Sequence, residues 1–286
     1  MDDQYLEFVV NISEGRDTSI LHAIRDAASP SLLDWHADEF HNRSVFTMLG
    51  RVDRLGLCGA FAPVVALCET ALHLVDLTKH SGVHPRFGAI DVLPIVALVR
   101  HPNGIFTNDS NQLSALSTRY QLAEMLRRHN VGHFYYGHDA EPTLPELRKT
   151  AFTELQPEWA PSRANDASGV TAMGVRSLLL AWNVDLVKTT LTDANEIAKS
   201  LRGPGVRSLA FPVGAHSQVS FNLVDPLHVG PDAIYDAIAG VAAIQRAELV
   251  GLAPEAMLRD IPEERWSLLD LSLDRTIESR AAQLGL

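Results

Sequence analysis

The sequence predicts an α/β (α+β) protein built from two βαββαβ halves, and three observations carry that prediction. Short apolar runs alternate with stretches whose apolar residues recur every three or four positions. A segment rich in Pro, Ser, Asn and Gly, QPEWAPSRANDASG (156–169), breaks the alternation once. After the break the same order of six elements begins again.

In the first half EFVVNIS (7–13) reads as a buried strand. EGRD then opens a helical pattern over 17–29, with Ile20, Leu21, Ile24 and Ala27 in phase. SLLDWHAD (31–38) is a second strand, and NRSVFTMLGR (42–51), with near-alternating apolar residues, a third. Leu55, Leu57, Ala60, Val64, Leu67, Leu72, Leu74 and Val75 give 52–77 the wide apolar face of one long helix. GAIDVLPIVALV (88–99) is a fourth strand, which completes the split βαβ order of ferredoxin-like folds. Helix 110–130, strand 133–138 and helix 143–155 follow before the break. The second half runs through strand 178–187, helix 193–202, strands 208–214 and 217–225, a helix 231–248 starting on Pro231, and a short strand 248–252. Asn11 and Asn183 occupy matching points of the first strand in each half. The expected organisation is two subdomains, 1–175 and 176–286, with a cleft between them as the default ligand site.

Bulk properties narrow the function. A formal charge of −11 over 286 residues argues against nucleic-acid and anionic-membrane partners, since either needs a basic face. MDDQYLEF is acidic where a signal peptide is basic, and no apolar run reaches spanning length; a soluble cytoplasmic protein is expected. Cys58 and Cys68 are the only thiols. On one helix over 52–77 they stand ~15 Å apart along its axis, too far for a disulfide. Histidine is enriched, at 12, which directs the search for chemistry.

That chemistry is densest in DLTKHSGVHPRFGAIDV (76–92). His80 and His84 are four apart, a spacing that would suit zinc on a helix. Gly82 between them and Pro85 after them put the pair on a loop instead, because the residue before proline avoids the α region. No cysteine is near, and no metal is expected. Lys79 and His80 facing a helix dipole, Gly82 ending the helix and Pro85 stiffening the turn would account for half of these residues. His84, Arg86 and Asp91 are left over, and a carboxylate inside an apolar strand needs a partner such as Arg86 or a loop histidine. Elsewhere Asn11 and Glu14 lie at a strand-to-helix junction where capping is an alternative, and Asn42 stands where an Asx turn would.

HSGVHPRFGAIDVLP, together with NISEGRD (11–17), LLDWHADEFHNRSVFTMLGR (32–51) and LVDLTKH (74–80), resembles the formiminotransferase domain of glutamate formiminotransferases, which is also the N-terminal domain of formiminotransferase-cyclodeaminases. WNVDL (182–186), SQVSFNLVD (217–225) and AELVGLAPEAML (247–258) extend the likeness along nearly the whole chain. The resemblance implies two similar α/β subdomains. It also implies transfer of a formimino group from N-formimino-L-glutamate to tetrahydrofolate as co-substrate, within histidine degradation and one-carbon metabolism. It makes His84, in the family's HPR motif, the catalytic residue. A single imidazole with a pKa near neutrality can take the proton that folate N5 loses and deliver it to the departing glutamate amine. The candidates for substrate contact are Asn11, Glu14, Arg16, His36, Asp38, Asn42, Arg43, His80, Arg86 and Asp91. The arginines suit the two carboxylates of glutamate, and Glu14, Asp38 and Asp91 suit the cationic amidine.

For the folate the resemblance indicates the loop 160–174, with Pro161, Ser162, Gly169 and Gly174 and no aromatic residue. His36 stands where better-known members carry a carboxylate. A homodimer acting on small molecules is implied. No cyclodeaminase sequence follows Leu286, so deamination of the product is expected to fall to another enzyme. Two alternatives stay open: a folate- or small-acid-binding protein on the same scaffold without transferase activity, and a transferase for a different N-formimino or N-formyl amino acid.

Overall fold

The structure, a computed structural model, describes residues 3–108 and 112–286. Alternation along the first strand sets the layering. In β1 (Gln4–Ile12) Leu6, Phe8, Val10 and Ile12 are fully buried on one face, while Glu7, Val9 and Asn11 take the other. The apolar face packs on three helices, α1 (Thr18–Ala28), α2 (Phe61–Leu74) and α3 (Gln112–Arg128), through residues such as Ile24, Leu67 and Leu122. Asp17 starts α1 by accepting from the backbone N–H groups of Ser19 and Ile20.

The chain divides into two compact units, Met1–Arg100 with Thr107–Arg176 and the terminal Leu286, and His101–Phe106 with Ser177–Gly285. In the first, β1 pairs on one side with β3 (Arg43–Arg51) and on the other with β4 (Ile90–His101), and β3 pairs outward with β2 (Leu32–Asp38). All three pairings are antiparallel, as in a split βαβ unit. Beyond β4 the sheet continues in parallel with β7 (Val170–Val175) and then β6 (Gly132–Gly137). The register lines up His36, Val45, Asn11 and Val92 across four strands. Cross-strand partners share a face, so this row and the Asp38–Arg43 pair lie opposite the three-helix layer. Further along that face α4 (Leu144–Thr150) covers Phe134, Tyr136 and Ala172 through Leu147.

The second unit repeats the order. Strands β8 (Leu180–Leu186), β9 (Val206–Val213), β10 (His216–Leu223) and β11 (Ile244–Val250) form an antiparallel sheet ordered β11-β8-β10-β9. Its apolar face, with Trp182, Val184 and Phe221, packs on α5 (Leu191–Ser200) and α6 (Pro231–Ala239). Asn183 sits on the opposite face and donates to Glu248 on β11.

Several elements differ from their sequence reading. The helix expected over 52–77 begins only at Phe61. Before it Asp53 accepts from the N–H groups of Leu55 and Leu57 and folds 53–57 into a turn, which leaves both leucines exposed. Cys58 therefore lies outside the helix, and both cysteines are buried free thiols. The same segment ends early: α2 stops at Leu74, and Leu77–Lys79 is a separate 3₁₀ turn, so Gly82 does not end a helix. The helix expected over 231–248 stops at Ala239, and residues 244–250 are strand β11. Two strands were not expected: β7, and the short β5 (Gly104–Thr107). The start of the helix read at 110–111 lies outside the described residues.

Candidate active site

Three loops of the first unit meet where β1 ends and β3 begins, and Asn42 ties them together. Its backbone takes a left-handed conformation (φ 48°), which asparagine tolerates better than most residues. Its side-chain oxygen accepts from the Gly15 N–H (2.9 Å), and its amide donates to the Ser81 carbonyl (2.9 Å). Its own carbonyl faces His80 Nε2 at 2.9 Å. The Asx role weighed for Asn42 is thus filled across loops rather than within one turn. Gly82 passes so close that a Cβ there would overlap the His41 carbonyl and lie 3.0 Å from the Arg86 guanidinium.

Arg86 holds the 80–86 loop from inside. Its Nη2 donates to the carbonyls of Gly82 and His84, both at 2.7 Å, and Nη1 lies 3.2 Å from His80 Nε2. Arg16 donates to the Glu39 carbonyl and the Ser81 hydroxyl, and Glu14 accepts from the N–H groups of Arg16 and Asp17 at the entry to α1. Asp38 accepts from the His41 N–H at 2.7 Å in the β2–β3 turn. His36 is half-buried on β2, in the same row as Asn11.

The charged centre lies beneath this loop. Asp91 is fully buried and accepts from both Arg43 and Arg148 as well as from the Phe87 N–H. Arg43 also donates through Nη2 (2.8 Å) and Nε (3.2 Å) to the Asn11 side-chain oxygen. Burial alone would raise the Asp91 pKa; the guanidiniums of Arg43 and Arg148 outweigh it and hold the carboxyl at about 2. The strand carboxylate thus has its partners, but they are Arg43 and Arg148 rather than Arg86 or a histidine.

His84 is half-buried, with its ring edge-on to the buried His41 at 5.9 Å between centroids. Its Nδ1 is 2.6 Å from the Pro85 carbonyl. A carbonyl only accepts, so the neutral ring carries its proton on Nδ1 and Nε2 is the basic nitrogen. Burial and then the charge of Arg43 depress the His84 pKa to about 3, with Arg148 adding to the effect and Asp91 opposing it. The imidazole is therefore neutral at physiological pH.

The loop read as folate-binding joins this region at one end. Gly169 bridges Gly88, the Val170 N–H donates to the Phe87 carbonyl (3.1 Å), and the Ala89 N–H donates to Ser168 (2.8 Å). Pro161 is half-buried and Ser162 exposed. Gly174 lies inside β7, where the Tyr136 ring occupies the space a Cβ would need. Trp159, just before the loop, stacks on His133 (centroids 6.4 Å, planes 19° apart).

Arg148, His41 and Phe87 are neighbours of the site that the sequence reading missed. A capping box of Thr143 and Glu146 makes α4 legible as a helix, but nothing local marks its arginine. Only the β4–β7–β6 pairing carries that helix to Asp91. Among the described residues, no three His, Cys, Asp or Glu side chains cluster to hold a metal ion, and no helix is long and apolar enough to cross a membrane.

The profile of the formiminotransferase domain, N-terminal subdomain, matches residues 5–176, well over half of the chain. The chain belongs to the formiminotransferase family. It is 30% identical to the glutamate formimidoyltransferase of Streptococcus pyogenes serotype M1, over 95% of this chain and 96% of that protein. A glutamate formimidoyltransferase of Thermoplasma acidophilum is 30% identical over 90% of each chain. The formimidoyltransferase-cyclodeaminase of Rattus norvegicus is 31% identical over 99% of this chain, which spans only 57% of that longer family member.

Proposed function

We propose that the protein transfers the formimino group of N-formimino-L-glutamate to N5 of tetrahydrofolate, with His84 as the proton shuttle. N5 attacks the amidine carbon and forms a C–N bond, and His84 Nε2 takes the N5 proton. The bond to the glutamate nitrogen then breaks, and His84 returns the proton to that amine, giving 5-formimino-tetrahydrofolate and glutamate. The observation that carries this reading is the neutral His84 ring, its tautomer fixed by Pro85, held above an Arg43–Asp91–Arg148 centre. Two guanidiniums against one carboxylate leave positive charge beside the imidazole, which suits a donor carrying two carboxylates.

This reading divides the surrounding residues by role. Arg43 and Asn11 face the substrate from the sheet, with His36, Asp38 and Glu14 around them. Asn42, His80 and Arg86 position the loop that presents His84. Asp91, saturated by two arginines, serves to orient them rather than to meet the amidine. The loop at Pro161, Ser162 and Gly169 is the folate element, and Gly174 supports it from β7. The same reading makes the protein a cytoplasmic homodimer in histidine degradation, working without a metal.

The test is to incubate the purified protein with tetrahydrofolate and N-formimino-L-glutamate and follow 5-formimino-tetrahydrofolate by mass spectrometry. Product formation that depends on both substrates supports the transferase. Folate binding without product would replace it with a binding protein, and preference for another N-formimino or N-formyl donor would change the substrate.

A further inference from the structure

Arg43 and Arg148 share Asp91 but are held differently. Arg43 is fixed along its length, donating to Asp91 through Nη1 and to Asn11 through both Nη2 and Nε. Arg148 has one short bond, Nη2 to Asp91 at 2.6 Å. Its other contacts are long: Nη1 to Asp91 at 3.4 Å and to the Pro85 carbonyl at 3.3 Å. Its guanidinium lies over the Phe87 ring, 4.9 Å from the centroid, which fixes the plane of the fork, and among the described residues no hydrogen bond is seen from its Nε. Asp91 neutralises only one of the two cations. The Pro85 carbonyl that Arg148 reaches is the same oxygen that holds His84 Nδ1. A group captured by Arg148 therefore lies beside the carbonyl that fixes the tautomer of the His84 ring.

We propose that Arg148 binds the α-carboxylate of the donor and so sets the leaving nitrogen against His84. This rests on the reaction proposed above and adds to it a substrate contact on α4. The stereochemistry is favourable, because in an N-formimino amino acid the α-carboxylate is attached to the carbon that bears the leaving nitrogen. An arginine fork on the carboxylate and an imidazole on the nitrogen thus act on adjacent atoms. The contact would also tune the base. In the free protein His84 is surrounded by Arg43 on β3, Arg148 on α4, Arg86 in its own loop, Asp91 on β4 and His41 at the β2–β3 turn. A bound carboxylate cancels the Arg148 charge and lets the imidazole pKa rise toward the range where it transfers protons efficiently.

Calorimetric titration of wild type, Arg148→Gln and Arg148→Lys with glutamate and with isoglutamine, its α-amide, tests the contact without requiring turnover. Wild type should prefer glutamate. Arg148→Gln should bind glutamate about 10- to 100-fold more weakly and lose that preference, while isoglutamine binding stays nearly unchanged. Arg148→Lys, which keeps the charge and loses the fork, should fall between and decides the matter should the glutamine variant not fold. Asp91 retains Arg43 and the Phe87 N–H in both variants. In turnover, KM for N-formimino-L-glutamate should rise more than kcat falls, and the acid limb of kcat/KM should move to higher pH as a cation leaves His84. Undiminished glutamate preference in the variants, equal weakening of both ligands, or a wild type that binds neither would each overturn the proposal. A wild type that binds glutamate with this preference but makes no product would remove the proposed reaction and leave the contact standing.

Discussion

The proton-shuttle role proposed for His84 requires a neutral ring, and its surroundings keep it so. Its pKa is depressed from 6.5 to about 3, first by burial and then by the charge of Arg43. Replacing His84 with Ala should lower kcat by about 10²–10⁴-fold, the usual contribution of a positioned proton-transfer group. The same depression predicts an acid-labile fold. Between pH 6.5 and 3 the unfolded chain takes up a proton that folded His84 refuses, so stability falls as pH falls through that window. His133 adds to this. It is fully buried, with neither ring nitrogen hydrogen-bonded, and burial followed by the charges of Arg127 and Arg119 lowers its pKa to about 4. His133→Phe keeps the ring against Trp159. It should leave Tm at pH 7 unchanged or higher and flatten the decline of Tm between pH 6.5 and 4. Asp91 contributes at lower pH, since its folded carboxyl stays ionised down to about 2 and its stabilisation disappears as pH falls through that value. Asp91→Asn strands two partly buried guanidiniums and should cost about 3–5 kcal/mol in denaturant unfolding.

The element that carries His84 is a loop with no regular hydrogen-bonding of its own, held by Arg86 and by Asn42 of the neighbouring turn. Gly82→Ala introduces a Cβ against the His41 carbonyl, and the loop must move to admit it. Because a shift of ~1 Å in a catalytic group can cost about 10²-fold, kcat should drop by roughly 10- to 100-fold with far-UV circular dichroism unchanged. This loop was the most legible part of the site, because histidine, glycine and proline crowd into one short stretch. The flanking helix was less so. Leu55 and Leu57 fit a helical period, yet Asp53 gives the backbone a competing turn, and the leucines end up 83% and 55% exposed. Strand β7 escaped notice because VTAMGV has neither alternation nor a run of β-branched residues, although it lies between β4 and β6 in the sheet. Arg148 was invisible for a different reason. Its significance depends on Asp91, 57 residues away, and no local pattern records so long a separation.

At the scale of the whole molecule, the repeated βαββαβ order was readable because each first strand alternates and each helix carries an apolar stripe. The two units share the spatial arrangement as well, β2-β3-β1-β4 in one and β9-β10-β8-β11 in the other. In both, an asparagine of the first strand, Asn11 or Asn183, sits on the face away from the helices and pairs with a charged side chain. Polar groups can stand on the part of that face that no helix covers, and in the first unit it supports the Arg43–Asp91 centre. Turnover of the intact chain is the decisive measurement: 5-formimino-tetrahydrofolate formed per active site from saturating N-formimino-L-glutamate and tetrahydrofolate, for wild type and His84→Gln side by side. Wild type should turn over repeatedly, and the variant should bind both substrates yet lose at least about 10²-fold in rate. Equal rates in the two proteins, or no product from either, would contradict the account.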